Sequence, residues 1–143
     1  MPFEFHDEIA TADVAFEAWG QTIEEMFIAA AEATMNVMVA DLEKIERRES
    51  REIEIRSDAV DMLLFNLLQE IIFLKDAEQL LLRIENMEIG YEDGLYFIKA
   101  IGWGEQIDPG KHELIVDVKA VTLHMFKVEQ TPRGWDTFII LDI

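Results

Sequence analysis

The stretch Phe138-Ile139-Ile140-Leu141-Asp142-Ile143 is apolar on both faces of the strand it predicts, and one face carries an acid. Side chains alternate along a strand, so Asp142 shares a face with Phe138 and Ile140, while Ile139, Leu141 and Ile143 share the other. A carboxylate in such a setting needs a cation, a cage of hydrogen-bond donors or an escape to water. A second acid in similar company lies near the start, in Thr11-Ala12-Asp13-Val14-Ala15-Phe16. If the first and last long strands are neighbours, two carboxylates converge at one end of a sheet, with the terminal carboxylate of Ile143 one residue away. That is an all-oxygen constellation, the kind hard divalent cations prefer. The bland alternative is a pair of strand-end acids, solvated or paired with lysine.

A chain of 143 residues suits one domain, 1–143, with a sizeable core. Half the residues are apolar, so the chain is a folded one. The absence of cysteine removes disulfides, zinc–thiolate centres and cysteine nucleophiles together. Thirty acids against twelve bases give a formal charge of −18. Such a field repels phosphate backbones, so tight nucleic-acid binding by the chain alone is not expected. It favours cations or a basic protein partner, and it equally suits a solubility surface or adaptation to salt or heat. The acidic start, Met1 to Glu8, has neither the cationic nor the apolar region of a signal peptide. The most apolar stretch, Met62 to Leu74, is broken by Asn66, Gln69 and Glu70 and falls short of the ~20 residues a membrane span needs. A cytoplasmic location without membrane attachment is the expectation.

Val14 to Trp19 reads as a first strand closed by Gly20, and Thr22-Ile23-Glu24-Glu25 is a capping box opening a helix. A charged connection, 43–51, leads into a strand at Glu52 to Arg56. Ser57 and Asp58 offer N-caps for a second helix from Ala59 to about Lys75. Its stripe of Val60, Leu63, Leu64, Leu67, Leu68, Ile71 and Leu74 is widened by Met62, Phe65 and Ile72, which predicts burial on more than one side. Strands follow at Leu81 to Ile89, Leu95 to Trp103, about Asp117 to Glu129, and Trp135 to Asp142. Turn chemistry at Tyr91-Glu92-Asp93-Gly94 and Thr131-Pro132-Arg133-Gly134 joins them as antiparallel hairpins, and 104–110 reads as a loop. The fold class is α+β: two helices on one face of a mainly antiparallel sheet.

Familiar catalytic patterns are missing. Gly102-Trp103-Gly104 lacks the following helix and Lys-Ser/Thr of a phosphate loop, and reads as a turn beside a packing tryptophan. Ser50 and Ser57, the only serines, sit at element boundaries. His6, His112 and His124 lack zinc-ligand spacing, and His124 reads as a core or edge residue of a strand. Lys119, near the start of an apolar strand, either pairs with Asp13 or Asp142 or reaches towards a charged ligand.

Several segments, in order, resemble the archease family. They are Thr11 to Gly20, Thr22-Ile23-Glu24-Glu25-Met26-Phe27, Gly102-Trp103-Gly104-Glu105, Lys111-His112, Val118-Lys119-Ala120-Val121-Thr122 and Ile139 to Ile143. The resemblance implies a small protein cofactor of the RtcB-type RNA ligase, which joins tRNA halves in tRNA splicing. Such cofactors promote guanylylation of the ligase and its multiple turnover, and hold a divalent cation, calcium, near the family's acids. By this likeness Asp13 and Asp142 are metal ligands together with Ile143, and Lys119 matches the lysine of the family's Lys-Ala-Val/Ile-Thr motif. Two departures stand out. Ile9-Ala10 replace the family's Asp-His ahead of Thr-Ala-Asp, so His6, Asp7 or Glu8 is left to supply a further ligand. Leu114-Ile115-Val116 stand where the family carries Gly-Thr. The first expectation is thus a non-enzymatic ligase activator. A metal-dependent hydrolase and a general chaperone or interaction module are the alternatives.

Overall fold

The chain opens with a short strand that its sequence does not announce, β1 (Phe3–His6), antiparallel to β2 (Asp13–Gly20). The structure is a computed structural model and describes residues 2–6 and 13–143. After β2 come α1 (Ile23–Met38), a 3-10 turn (Leu42–Lys44), β3 (Glu49–Ser57) and α2 (Val60–Glu78). The remainder is β4 (Leu80–Glu92), β5 (Leu95–Gln106), β6 (Ala120–Thr131) and β7 (Gly134–Asp142). The described strands form two sheets, ordered β1-β2-β7-β6 and β3-β5-β4, with every pairing antiparallel.

The class is α+β, a single domain of two helices and antiparallel strands, as the periodicity predicts. Where the sequence suggested one sheet there are two, and each helix touches strands of both. The composition of α1 permits this. Ala29, Ala30, Ala31 and Ala33 are buried beside Met26, Phe27 and Met35, so small side chains let strands approach closely. A helix buried nearly all round needs cover on several sides, and two sheets provide it. In α2 the stripe Leu63, Leu64, Leu67, Leu68 and Ile71 is buried, and Ile72 widens it.

Local chemistry accounts for most boundaries. The Thr22 hydroxyl accepts from the Glu25 N–H at 3.1 Å, and the Glu25 carboxylate accepts from the Gln21 N–H at 3.0 Å, a box shifted by one residue at its return bond. Ser57 and Asp58 do not cap α2. β3 runs on through Ser57, the N-cap falls to Ala59, and no side chain caps it. Asp93 (φ 53°) and Gly94 (φ 80°) both take left-handed conformations between the paired residues Glu92 and Leu95, the geometry a two-residue hairpin needs. Gly102-Trp103-Gly104 is not a turn but the interior of β5, which continues to Gln106, so the expected loop starts later. A Cβ on Gly104 would lie 1.7 Å from the Leu81 carbonyl oxygen, which is why only glycine fits there. None of the described helices is long and apolar enough to cross a membrane.

Candidate functional site

β7 lies between β2 and β6, which places its acid end against both. Asp13, the first residue of β2, stands directly opposite Asp142, the last of β7. Directly opposed residues share a face of the sheet, with Cβ atoms about 5 Å apart, so the two carboxylates face the same space. On the far side of β7, Ala120 pairs with Asp142, and the Lys119 N–H donates to the Asp142 carbonyl oxygen at 2.8 Å. Both acids and Ile143 are half-buried. The convergence that the sequence suggested is therefore present.

The next row across this face reads His6, Ala15, Ile140, Thr122, one residue from each strand. Ala15 and Ile140 are buried at 0% and 1% exposure. Among the described residues, two buried polar side-chain atoms lack a hydrogen-bond partner: His6 Nε2 and Thr122 Oγ1. Both belong to this row, diagonal to the acids. An unsatisfied buried polar atom is expensive, and two beside an acid pair suit a further polar or charged group at this end of the sheet. No third histidine, cysteine or acid joins the pair among the described residues. Asp7 and Glu8, the expected additional ligands, lie outside the described residues.

Lys119 is exposed, and the ion pairs of the described residues include neither it nor Asp13 nor Asp142. Pairing of this lysine with the two acids is thus not the arrangement found. His124 is an exposed residue of the edge strand β6.

Sequence reasoning missed a second charged cluster, centred on Glu105. This residue is 5% exposed at the end of β5, and its carboxylate accepts from the Glu46 N–H at 2.7 Å. Lys111 Nζ lies 2.6 Å from it, Arg48 Nε 3.2 Å and His112 Nε2 3.0 Å. The Asp108 N–H donates to His112 Nδ1 at 2.9 Å, so the ring proton sits on Nε2 and points at Glu105. Burial alone pushes the Glu105 carboxyl up; the Glu46 amide, Lys111 and His112 outweigh it and bring it down to about 2. From the sequence Glu105 falls in the expected loop 104–110, and only the extension of β5 to Gln106 places it at the end of an apolar strand. The cluster holds the start of the 107–119 connection. Its other end is held by buried Lys75, which bonds the Val118 carbonyl at 3.1 Å and pairs with Asp76 and Asp117.

A cleft of about 950 Å³ lies at the opposite end of β2 around Trp19, Phe3 and Ile28. Its two guanidiniums are already occupied: Glu32 clamps Arg83 at 2.6 and 3.1 Å, and Asp136 holds Arg133 at 3.0 Å. The acid row, with groups lacking partners among the described residues, is the stronger candidate.

The chain matches the Archease protein family (MTH1598/TM1083) over residues 3–143. It is 37% identical over 134 residues to the protein archease of Pyrococcus abyssi, with 93% of this chain and 94% of that one covered. The protein archease of Thermococcus gammatolerans is 38% identical over 139 residues, with the same shares covered. The solution structure of Methanobacterium thermoautotrophicum protein 1598 matches with a TM-score of 0.86 at 35% identity, over 99% of both chains. A crystal structure of an archease from Thermotoga maritima, described as a possible chaperone, matches over 98% of both chains with a TM-score of 0.61; at 19% identity the likeness is one of fold alone. An α+β domain whose first and last long strands bring two acids together is thus an archease fold. The chain belongs to the archease family.

Proposed function

We propose that this protein is a non-enzymatic activator of an RtcB-type RNA ligase in tRNA splicing, promoting ligase guanylylation and multiple turnover in the cytoplasm. In this reading it holds one divalent cation, calcium, between Asp13, Asp142 and the main-chain or terminal oxygen of Ile143. The observation that carries the proposal is the direct cross-strand pairing of Asp13 with Asp142. Two like charges opposed on one sheet face repel, and a bound cation reverses that repulsion. Every candidate ligand is oxygen, which favours calcium over zinc. Asp7 or Glu8 would supply a further ligand.

A divalent ion near a nucleoside triphosphate neutralises phosphate charge during nucleotidyl transfer. The residues of this chain do the rest. Asp13 and Asp142 present negative charge at a sheet end, and Lys119, its amide bonded to Asp142, offers an exposed ammonium that joins no ion pair among the described residues. The charge of −18 suits docking to a protein whose own site must be cationic to hold a triphosphate. The same charge argues against the tRNA itself as the direct partner.

The experiment is ligase guanylylation with and without this chain, read as labelled ligase formed per unit time. Stimulation together with an absence of phosphoesterase activity in the chain alone is expected. Failure to stimulate a cognate ligase would remove the proposal, and hydrolysis by the chain alone would favour a metal-dependent hydrolase.

A further inference from the structure

Ten large apolar side chains are exposed among the described residues, and five of them fall within residues 114–125: Leu114, Ile115, Val116, Leu123 and Met125. This segment brackets the acid row. Lys119 and Ala120 are fixed to Asp142, by a hydrogen bond and by strand pairing respectively. Val116 precedes Lys119 by three residues and Leu123 follows Ala120 by three, so each lies within about 11 Å of that anchor by chain length. Exposed apolar side chains therefore stand on either side of this anchor along the chain.

Both flanks are held rather than loose. On one, Ala40 N–H donates to the Glu113 carbonyl and Ile115 N–H to the Met38 carbonyl, both at 2.9 Å, while Lys75 bonds the Val118 carbonyl. On the other, β6 bulges. Thr122 pairs with Ile140 and Lys127 with Phe138, so residues 123–126 stand against Ile139 alone. Met125 takes φ 57°, a left-handed conformation that few non-glycine residues adopt. Bulges at sheet edges commonly re-aim a side chain or blunt the edge with charge. Here the bulge displays Leu123 and Met125, at 58% and 56% exposure, and so does not blunt the edge with charge. Met125 also borders a depression of about 260 Å³ lined by Phe138, Glu17, Lys127 and Glu129.

We infer that residues 114–125 form a preorganised docking strip for the ligase. Leu123 and Met125 on one side, and Ile115 and Val116 on the other, seat in apolar surface beside the mouth of its cationic nucleotide site. The inference rests on the proposed function. The occupant follows from charge complementarity: a surface carrying triphosphate chemistry is basic, and the acids between the two apolar flanks match it, while the apolar side chains supply contact that charge alone does not.

The test titrates this protein into a ligase guanylylation assay and reads the half-maximal concentration and the maximal stimulation separately. The variants are Leu123→Ser/Met125→Ser, Ile115→Ser/Val116→Ser and, alone, Met125→Gly, which removes the side chain while suiting the left-handed backbone and so keeps the fold. Each double variant should raise the half-maximal concentration at least tenfold, with maximal stimulation retained and calcium affinity unchanged by calorimetry. Met125→Gly should raise it severalfold. Half-maximal concentrations equal to that of the unaltered protein in all three would overturn the docking strip while leaving the proposed function standing. An unaltered protein that does not stimulate at all would overturn both.

Discussion

His112 Nε2 lies 3.0 Å from a carboxylate oxygen of Glu105, with both side chains almost wholly out of water. The ring is a spacer with two bonds: it accepts from the Asp108 amide on one side and donates to the acid on the other. Removing it leaves an unpaired amide and takes a donor from a buried anion. His112→Ala should therefore destabilise the fold by roughly 2–4 kcal/mol. Urea unfolding at neutral pH measures this, and a loss below about 0.5 kcal/mol would mean the cluster is not structural.

The same acid sets a dependence on pH. The folded Glu105 carboxyl lies at about 2, below its ordinary 4.5, so its ionised form is favoured by folding. The stability it contributes is present above about pH 4.5 and is lost as pH falls towards 2. The difference in unfolding midpoint between the native protein and Glu105→Gln should accordingly be constant near neutrality and shrink through that acidic window. A difference that stays constant down to pH 2 would show that the cluster does not hold the anion.

Asp13 and Asp142 should respond oppositely with and without cation. In chelator, Asp13→Asn relieves a like-charge pair on one sheet face and should raise stability by up to about 1 kcal/mol. In calcium at a hundred times its dissociation constant, the native protein should gain about 2.7 kcal/mol, and both Asp13→Asn and Asp142→Asn should lose most of that gain. Thermal unfolding in the two conditions separates the effects. Equal calcium stabilisation in all three proteins would exclude these acids as ligands.

How much of this was legible follows from which interactions are local. Strand alternation alone placed Asp142 among apolar neighbours, and adjacency of the first and last long strands put Asp13 opposite it. The capping box at Thr22 is likewise written in four consecutive residues. β1 was not legible, because the alternation of Phe-Glu-Phe-His spans only four residues, too few to distinguish a strand from chance. It exists through pairing with β2 and the contact of Phe5 with Phe16, ring centroids 6.1 Å apart. The Glu105 cluster gathers residues 46, 48, 111 and 112, which only the tertiary fold brings together. The β6 bulge leaves no trace either, since no glycine or asparagine marks the left-handed residue and Met125 takes that role. The division into two sheets was hidden for a related reason: alternation reports faces, not which strands join.

The isolated protein should bind tRNA weakly or not at all. A formal charge of −18 offers no basic face for the counterion release that drives such binding. Filter binding at moderate ionic strength should show no saturation in the micromolar range. A salt-sensitive micromolar complex would instead point to RNA as a direct partner.

Lys119 supplies the sharpest division between structural and functional roles. Its amide is tied to Asp142, yet its side chain is exposed and joins none of the ion pairs of the described residues. Truncating an exposed side chain should change stability by no more than about 0.5 kcal/mol. It should also leave calcium affinity nearly unchanged, because the lysine neither competes for the acids nor supplies oxygen. If the ammonium instead meets the ligase or its nucleotide, as a mobile point charge on a long stem can, Lys119→Ala should hold its cation and lose stimulation of guanylylation by tenfold or more. Lys119→Arg keeps the charge but spreads it over a planar fork, and should recover only part of the activity. A folded Lys119→Ala protein that activates fully would assign the lysine to the surface alone, whereas one that binds calcium more tightly would return it to the acids as a competitor.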